Sequence, residues 1–123
     1  MKKILIIEDE LAYVKILRDV FQGTYEVIKA NDGKTGLTLA LKRRPDLILL
    51  DIKMPVMDGL MMLKELRKDT DFGKKVNVVL LTNLEPDGAI VKKVIDDQPT
   101  YYWVKSDVQL GDVMRKVAAL LSD

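Results

Sequence analysis

Short runs of apolar residues recur along the chain and predict β-strands. The runs cover residues 4–7, 25–29, 47–50, 78–81 and 101–104, and the second of them is the weakest. Most are rich in isoleucine, valine and leucine, which is typical of strands that are buried on both faces of a parallel sheet.

Longer amphipathic stretches separate these runs and predict helices. Asp32-Gly33 and Asp58-Gly59 mark the starts of the second and third helices, and Pro86 suits the first turn of the fourth. The apolar residues repeat at the three- and four-residue spacing of a helix face. The five sets are Leu11, Val14, Leu17 and Phe21; Leu37 and residues 39–41; Leu60, Leu63 and Leu66; Ile90, Val91, Val94 and Ile95; and Leu110, Val113, Met114, Val117, Leu120 and Leu121.

Strand and helix alternate five times, which predicts an α/β fold. We expect a doubly wound, five-stranded parallel sheet with five helices. The flavodoxin-like strand order 2-1-3-4-5 is assumed from the five-unit pattern. Because no linker, repeat or low-complexity stretch interrupts the chain, we interpret residues 1–123 as a single domain without an output domain in this chain.

The composition excludes several kinds of chemistry. The chain has no cysteine and no histidine, which removes disulfides, thiolate metal sites and the commonest general base. A net charge of +1 offers no electrostatic footprint for nucleic acid or an anionic membrane. The first apolar run, residues 4–7, ends before Glu8 and is too short for a signal peptide or a membrane span. We therefore expect a cytoplasmic protein that relies on carboxylates, lysines and hydroxyl groups.

Polar side chains stand directly after the predicted strands. Glu8 and Asp9 follow the first strand, Asp51 the third, Thr82 the fourth and Lys105 the fifth. In open α/β sheets, ligands bind outside the carboxyl ends of the strands, where the strand order reverses. In the expected order, that point lies between the first and third strands. We therefore expect the five side chains to share one crevice.

The charges of this crevice favour a divalent cation. Three carboxylates repel one another, so at least one pKa should be raised unless something compensates. Three negative charges and Lys105 sum to −2, which one divalent cation cancels. Hard oxygen ligands favour Mg²⁺. A carboxylate is also a nucleophile toward phosphoryl groups, whose oxygens Mg²⁺, Lys105 and the Thr82 hydroxyl would stabilise.

Each residue taken singly also has a structural explanation. The acidic pair suits a helix N-terminus, Asp51 suits a turn before Met54-Pro55, Thr82 suits a cap and Lys105 suits a solvated loop. Their joint placement at one edge of the sheet favours a functional site instead.

These residues lie in motifs that resemble those of response-regulator receiver domains, the CheY-like superfamily of bacterial two-component systems. The resemblance covers essentially the whole chain. The matching segments are 6–10 (IIEDE), 45–55 (PDLILLDIKMP), 57–59 (MDG), 80–82 (LLT) and 102–105 (YWVK).

The resemblance implies a phosphoacceptor site that uses a metal. Asp51 would be the phosphoacceptor. Asp9, Asp51 and the backbone carbonyl of Lys53 would hold Mg²⁺, and Glu8 would act largely through a bound water. The phosphoryl donor would be a histidine kinase or a histidine phosphotransfer protein. The domain would assist its own phosphorylation and dephosphorylation without being an enzyme in its own right.

The resemblance also implies a switch. Thr82 and Lys105 would bind the phosphoryl group, and Thr82 and Tyr102 would rearrange on activation. The responding face would be the fourth predicted helix, the fifth strand and the fifth predicted helix. A downstream protein or a second copy of the chain would dock there. No direct contact with nucleic acid or membrane is implied.

The chain departs from the common family pattern at three places. Asn83 stands where a small residue is usual, Ser106 stands where proline is usual, and residues 98–100 read QPT where a Gly-Ala pair is usual. Without proline, a cis peptide after Lys105 costs about 2.5–4 kcal/mol, so we expect a trans bond.

Other functions fit the sequence less well. A haloacid-dehalogenase-like phosphatase needs a second aspartate two residues after the nucleophile, where Lys53 stands. A flavodoxin-like cofactor binder needs a phosphate-binding loop after the first strand, where this chain has acids. A degenerate receiver that serves only for docking is disfavoured because the acids, Thr82 and Lys105 are all present. A receiver that is a fragment of a larger transcriptional regulator stays open as an alternative.

Overall fold

Five strands and six helices make up the described part of the chain. The computed structural model describes residues 1–122, so Asp123, with which the expected single domain ends, lies outside the described residues. The strands are β1 (Lys3–Ile7), β2 (Glu26–Ala30), β3 (Leu47–Leu50), β4 (Asn77–Thr82) and β5 (Tyr101–Val104). The helices are α1 (Leu11–Phe21), α2 (Gly33–Arg43), α3 (Gly59–Arg67), α4 (Phe72–Lys75), α5 (Gly88–Asp97) and α6 (Leu110–Leu121).

The strands form one parallel sheet in the order β2-β1-β3-β4-β5, which confirms the expected doubly wound architecture. Side chains alternate across the sheet, so Leu5 and Ile7 join one core cluster while Ile4 and Ile6 join the other. The first cluster packs against α2 and α3, and the second against α1 and α6. The central strands are therefore covered on both faces, whereas β2 and β5 are edge strands with exposed residues.

The helices differ from the sequence prediction in two respects. The five predicted helices are present as α1, α2, α3, α5 and α6, and the described residues form one more, the short helix α4, where no amphipathic repeat marks it. The Asp69 side chain accepts a hydrogen bond there from the Gly73 N–H at 2.7 Å. The predicted fourth helix is α5, and it begins after Pro86 because Asp87 caps it by accepting from the Ile90 N–H at 2.9 Å. No helix among residues 1–122 is both long enough and apolar enough to span a membrane.

Arg67 ties together the helices on one face of the sheet. Its guanidinium donates to the carbonyl oxygens of Gly73 and Val76 at 2.9 and 2.8 Å, and to those of Asp97 and Gln98 at 3.1 and 2.8 Å. The last two bonds hold the carboxyl end of α5, a helix in which no residue is fully buried. The amino-terminal part of α5 is consequently its less restrained part.

The loop between β3 and α3 leaves no room for a side chain at Gly59. Its N–H donates to the Ile52 carbonyl at 2.7 Å, and a Cβ atom there would lie 1.9 Å from the carbonyl oxygen of Asp51. Asp58 caps α3 by accepting from the Met61 N–H at 2.8 Å. Glycine thus lets α3 start directly against the backbone of Asp51.

We expect Gly59→Ala to destabilise the domain because the added methyl group displaces the Asp51 backbone. The free energy of unfolding should fall by about 1–3 kcal/mol or more, measured by urea denaturation with an unchanged m-value. Gly88→Ala is the matched control. Gly88 also begins a helix but has open space around it, so alanine there should be neutral or stabilise by up to about 1 kcal/mol. Equal stability of the two variants would contradict this account of Gly59.

Candidate functional site

The sheet register brings the predicted site residues to one edge. Ile7 and Leu50 are paired, and the Asp51 N–H donates to the Ile7 carbonyl at 3.0 Å. On the other side, the Lys105 N–H donates to the Thr82 carbonyl at 2.7 Å. Because β1, β3, β4 and β5 all end here, the side chains at these ends and directly after them meet. The expectation of a shared crevice is confirmed.

The crevice is a cleft of about 270 Å³. It is lined by Glu8, Asp9, Glu10, Asp51, Lys53, Thr82, Asn83, Leu84 and Lys105. Of the residues that the sequence selected, only Tyr102 is outside this lining; its ring packs against the first core cluster.

Three carboxylates converge in the cleft. Glu8, Asp9 and Asp51 each offer an oxygen, and these oxygens lie within 4.8 Å of one another. Glu8 and Asp51 are only 3% and 8% exposed, whereas Asp9 is exposed at the mouth. Such a set of hard oxygen donors, one of them facing solvent, fits a divalent cation such as Mg²⁺.

Lys105 sits between the buried acids. Its ammonium donates a short hydrogen bond to Glu8 and lies 3.5 Å from Oδ2 of Asp51, and the side chain is only 8% exposed. It also lies over the ring of Tyr13, 4.2 Å from the ring centroid. Tyr13 was not selected from the sequence. The available signal was its position in the first turn of α1, five residues after Glu8.

The site is electrostatically unbalanced, as three clustered acids predict. Burial raises the pKa of Glu8 to about 7, and the nearby Asp51 carboxylate adds to the rise, while the hydrogen bond from Lys105 opposes it. Burial alone would lower the pKa of Lys105, but Glu8 and Asp51 together raise it above its usual value. Lys105 is therefore charged and still leaves excess negative charge for a cation to neutralise.

The two oxygens of Asp51 have different surroundings. Oδ1 accepts a hydrogen bond from the Ile52 N–H at 2.7 Å, and Oδ2 faces Lys105. Two residues after Asp51, Lys53 is exposed and lines the cleft. The chain then turns sharply through Val56, whose φ of 69° is unusual for a β-branched residue. The Asp51 carboxylate is thus held by its own backbone before any ligand arrives.

The predicted switch residues are linked through the backbone of Leu84. Thr82 is 1% exposed, and its hydroxyl oxygen accepts a hydrogen bond from the Leu84 N–H at 3.4 Å. The Tyr102 hydroxyl donates to the Leu84 carbonyl at 2.8 Å. Tyr102 is half-buried. One peptide segment therefore contacts both hydroxyl groups.

The positions that depart from the family pattern lie next to the ends of β4 and β5, and one of them, Asn83, lines the cleft. The peptide after Lys105 is trans, as expected, and the Asp107 N–H donates to the Val104 carbonyl at 2.9 Å. The Thr100 hydroxyl accepts from the Val78 N–H at 3.1 Å, so this residue joins β4 to the start of β5.

Comparisons with known proteins agree with this geometry. The sequence model of the response regulator receiver domain family matches residues 4–113. The polar-differentiation response regulator DivK of Brucella anthropi is 39% identical over 82 residues, which are 66% of this chain and 66% of DivK. In eight curated relatives, the aligned region makes up between 19% and 66% of the relative's own length.

Solved structures share the whole fold. The chemotaxis protein CheY4 of Vibrio cholerae is 27% identical with a TM-score of 0.85, covering 98% of this chain and 99% of that one. The Mn²⁺-bound form of the response regulator Rcp1 is 27% identical with a TM-score of 0.78, covering 98% and 91%. The family match spans most of the chain, and the fold and the acidic cleft agree with it. This chain belongs to the response regulator receiver domain family, whose members are the receivers of two-component signalling systems.

Proposed function

We propose that Asp51 accepts a phosphoryl group from the phosphohistidine of a histidine kinase or a histidine phosphotransfer protein in the cytoplasm. The surroundings of Asp51 carry this proposal. Its carboxylate is buried, one oxygen is held by the Ile52 N–H, and the other faces the ammonium of Lys105. A nucleophile fixed in this way needs little reorganisation to react.

The metal in this proposal is Mg²⁺. Asp9, Asp51 and the backbone carbonyl of Lys53 would hold it, with Glu8 acting largely through a bound water. The convergence of three carboxylates within 4.8 Å supports this set, as does the divalent cation bound to Rcp1. When bound, the ion neutralises charge on the carboxylates and on the phosphoryl oxygens.

The transfer itself asks little of the protein beyond positioning. A carboxylate oxygen of Asp51 forms a bond to phosphorus while the bond from phosphorus to the donor's imidazole nitrogen breaks, and the imidazole takes up a proton. The Lys105 ammonium and the Thr82 hydroxyl then donate hydrogen bonds to phosphoryl oxygens, where charge develops. The product is an acyl phosphate on Asp51.

The readout in this proposal runs through Leu84. A phosphoryl group on Asp51 offers the Thr82 hydroxyl a charge-assisted acceptor, which draws it away from the Leu84 N–H. The Tyr102 hydroxyl donates a hydrogen bond to the carbonyl of Leu84, so a shift of the Leu84 backbone also moves Tyr102. The amino-terminal part of α5 follows this loop, while Arg67 holds the carboxyl end of the helix.

The face that responds would consist of α5, β5 and α6, which correspond to the predicted fourth helix, fifth strand and fifth helix. It exposes apolar side chains that a downstream protein or a second copy of the chain can cover, namely Val91, Ile95, Tyr101 and Met114. A receiver within a longer transcriptional regulator is the second candidate, and the greater length of the curated relatives favours it. A haloacid-dehalogenase-like phosphatase is disfavoured because Lys53 occupies the position of its general acid.

The metal assignment predicts unequal effects of two acids. Asp9→Ala should raise the Kd for Mg²⁺, measured by isothermal titration calorimetry, by roughly tenfold or more. Loss of an outer-shell partner already raises a metal Kd by roughly tenfold, and Asp9 would be a direct ligand. Glu8→Ala should raise it less, because only a water-mediated contact is lost. Asp19→Ala, an exposed acid at the far end of α1, is the charge control and should leave Kd unchanged. An unchanged Kd in Asp9→Ala would refute the assignment.

The chemical assignment predicts self-catalysed phosphorylation. Incubation with acetyl phosphate and Mg²⁺ should add one phosphoryl group, detected by mass spectrometry and removed by hydroxylamine as expected for an acyl phosphate. Asp51→Asn should abolish the addition, and chelation of Mg²⁺ should prevent it in the wild type. Asp107→Asn, on an exposed loop, is the matched control and should behave as wild type. Persistent hydroxylamine-sensitive labelling of Asp51→Asn would exclude Asp51 as the acceptor.

The switch predicts that phosphorylation and the surface response can be separated. In Thr82→Ala, Asp51 should still be phosphorylated, but hydrogen exchange of the α5 amides should no longer change, because the phosphoryl group has lost its differential contact with the two states. Thr82→Ser keeps the hydroxyl group and should restore the response. If α5 responds in Thr82→Ala as fully as in the wild type, Thr82 is not part of the switch.

A further inference from the structure

The ammonium of Lys105 has three close neighbours of two different kinds. Glu8 and Asp51 are charged acceptors. The third neighbour is the neutral ring of Tyr13, whose centroid lies 4.2 Å from Nζ. A cation over an aromatic face at this distance is attracted by the ring quadrupole, and the attraction is stronger where water is excluded. With the Lys105 side chain only 8% exposed, this contact is of the stronger kind.

The fold places the ring there through α1. Tyr13 lies in the first turn of the helix, one residue before Val14 and four before Leu17, both of which are buried in the second core cluster. Helical side chains lean toward the amino end of their helix, which for α1 is the carboxyl edge of the sheet. Tyr13 itself is half-buried and packs against that cluster. Its ring is therefore held by the core and not by the ligands of the cleft.

We propose that Tyr13 is a positioning residue that keeps the Lys105 ammonium in the cleft while Glu8 and Asp51 change their partners. This inference rests on the proposed function. In that function, Asp51 becomes an acyl phosphate and Glu8 would help to hold the Mg²⁺, so both carboxylates would bind the lysine less tightly. The ring has no part in either change. It remains a partner for Lys105 throughout the reaction.

The need for such a partner follows from the chemistry of lysine. A lysine side chain is a flexible four-carbon stem with a compact charge, and it loses rotamer freedom when it is fixed. A ring that holds it beforehand leaves less freedom to be lost when the phosphoryl group arrives. The alternative is that the Tyr13 ring only packs against the second core cluster and does not position Lys105. Tyr13→Leu keeps apolar packing without a ring, and Tyr13→Phe keeps the ring without the hydroxyl, so the pair separates the two roles.

The first measurement observes the contact without any reaction. Protons above an aromatic face are shifted upfield, so the ε-methylene protons of Lys105, assigned by their loss in Lys105→Met, should stand apart from those of other lysines. The shift should persist at saturating Mg²⁺, remain in Tyr13→Phe and vanish in Tyr13→Leu. An ordinary lysine shift in the wild type with Mg²⁺ bound would overturn the proposal, even if Tyr13→Leu failed to fold.

The second measurement is the rate of phosphorylation by acetyl phosphate at saturating Mg²⁺. Tyr13→Phe should react within about twofold of the wild-type rate, whereas Tyr13→Leu should be slower by about fivefold to thirtyfold, the range between an exposed and a desolvated cation–π contact. The Kd for Mg²⁺ should be the same in both variants. Leu11→Ala, an exposed residue in the same turn of α1, is the control for disturbance of the helix and should match the wild type.

The outcomes separate this inference from the proposed function. Equal rates in Tyr13→Leu and Tyr13→Phe, or a slow Tyr13→Leu that recovers when more Mg²⁺ is added, would overturn the positioning role alone. A wild-type domain that takes up no phosphoryl group would overturn both.

Discussion

The parallel pairing of β1 with β3 forces two carboxylates, Glu8 and Asp51, to lie side by side at a buried edge of the sheet. Burying an unpaired charge costs several kcal/mol, and a second like charge beside it makes the cost larger. The pKa of Glu8 is raised because burial and the neighbouring Asp51 carboxylate both disfavour its charged form. Lys105 compensates only in part, because it brings one positive charge to the three converging carboxylates. The remaining negative charge favours the binding of a cation in the cleft.

The surrounding backbone fixes the carboxylates of the cleft at positions where they repel one another. The Ile52 N–H bonds the carboxylate of Asp51, and the missing side chain at Gly59 lets α3 begin against the same backbone. Lys105 reaches the acids from β5 because its N–H is paired with the carbonyl of Thr82 at the end of β4. Strands covered on both faces supply the rigidity that such a preorganised site requires.

Helix α5 is held less firmly than this edge of the sheet. No residue of α5 is fully buried, and hydrogen bonds from Arg67 hold its carboxyl end. The segment that leads into this helix includes Leu84, whose backbone contacts the hydroxyl groups of Thr82 and Tyr102. Elements with few buried contacts open at low free-energy cost. The rigid acidic edge of the sheet therefore lies beside a helix with few buried contacts.

Much of the fold and of the candidate site is predicted by the sequence alone, because strand ends and helix caps are local features. The runs 47–50 and 101–104 have the same bounds as β3 and β5, and the polar residues after the runs are the ones that line the cleft. Once the strands are parallel, their carboxyl ends share an edge, so residues distant in sequence are brought together without any knowledge of their contacts. What only the tertiary structure decided was the short helix α4, the four carbonyl contacts of Arg67 and the ring of Tyr13 over Lys105. These features depend on how side chains from separate helices and strands meet in space, and hydrophobic periodicity carries no information about such meetings.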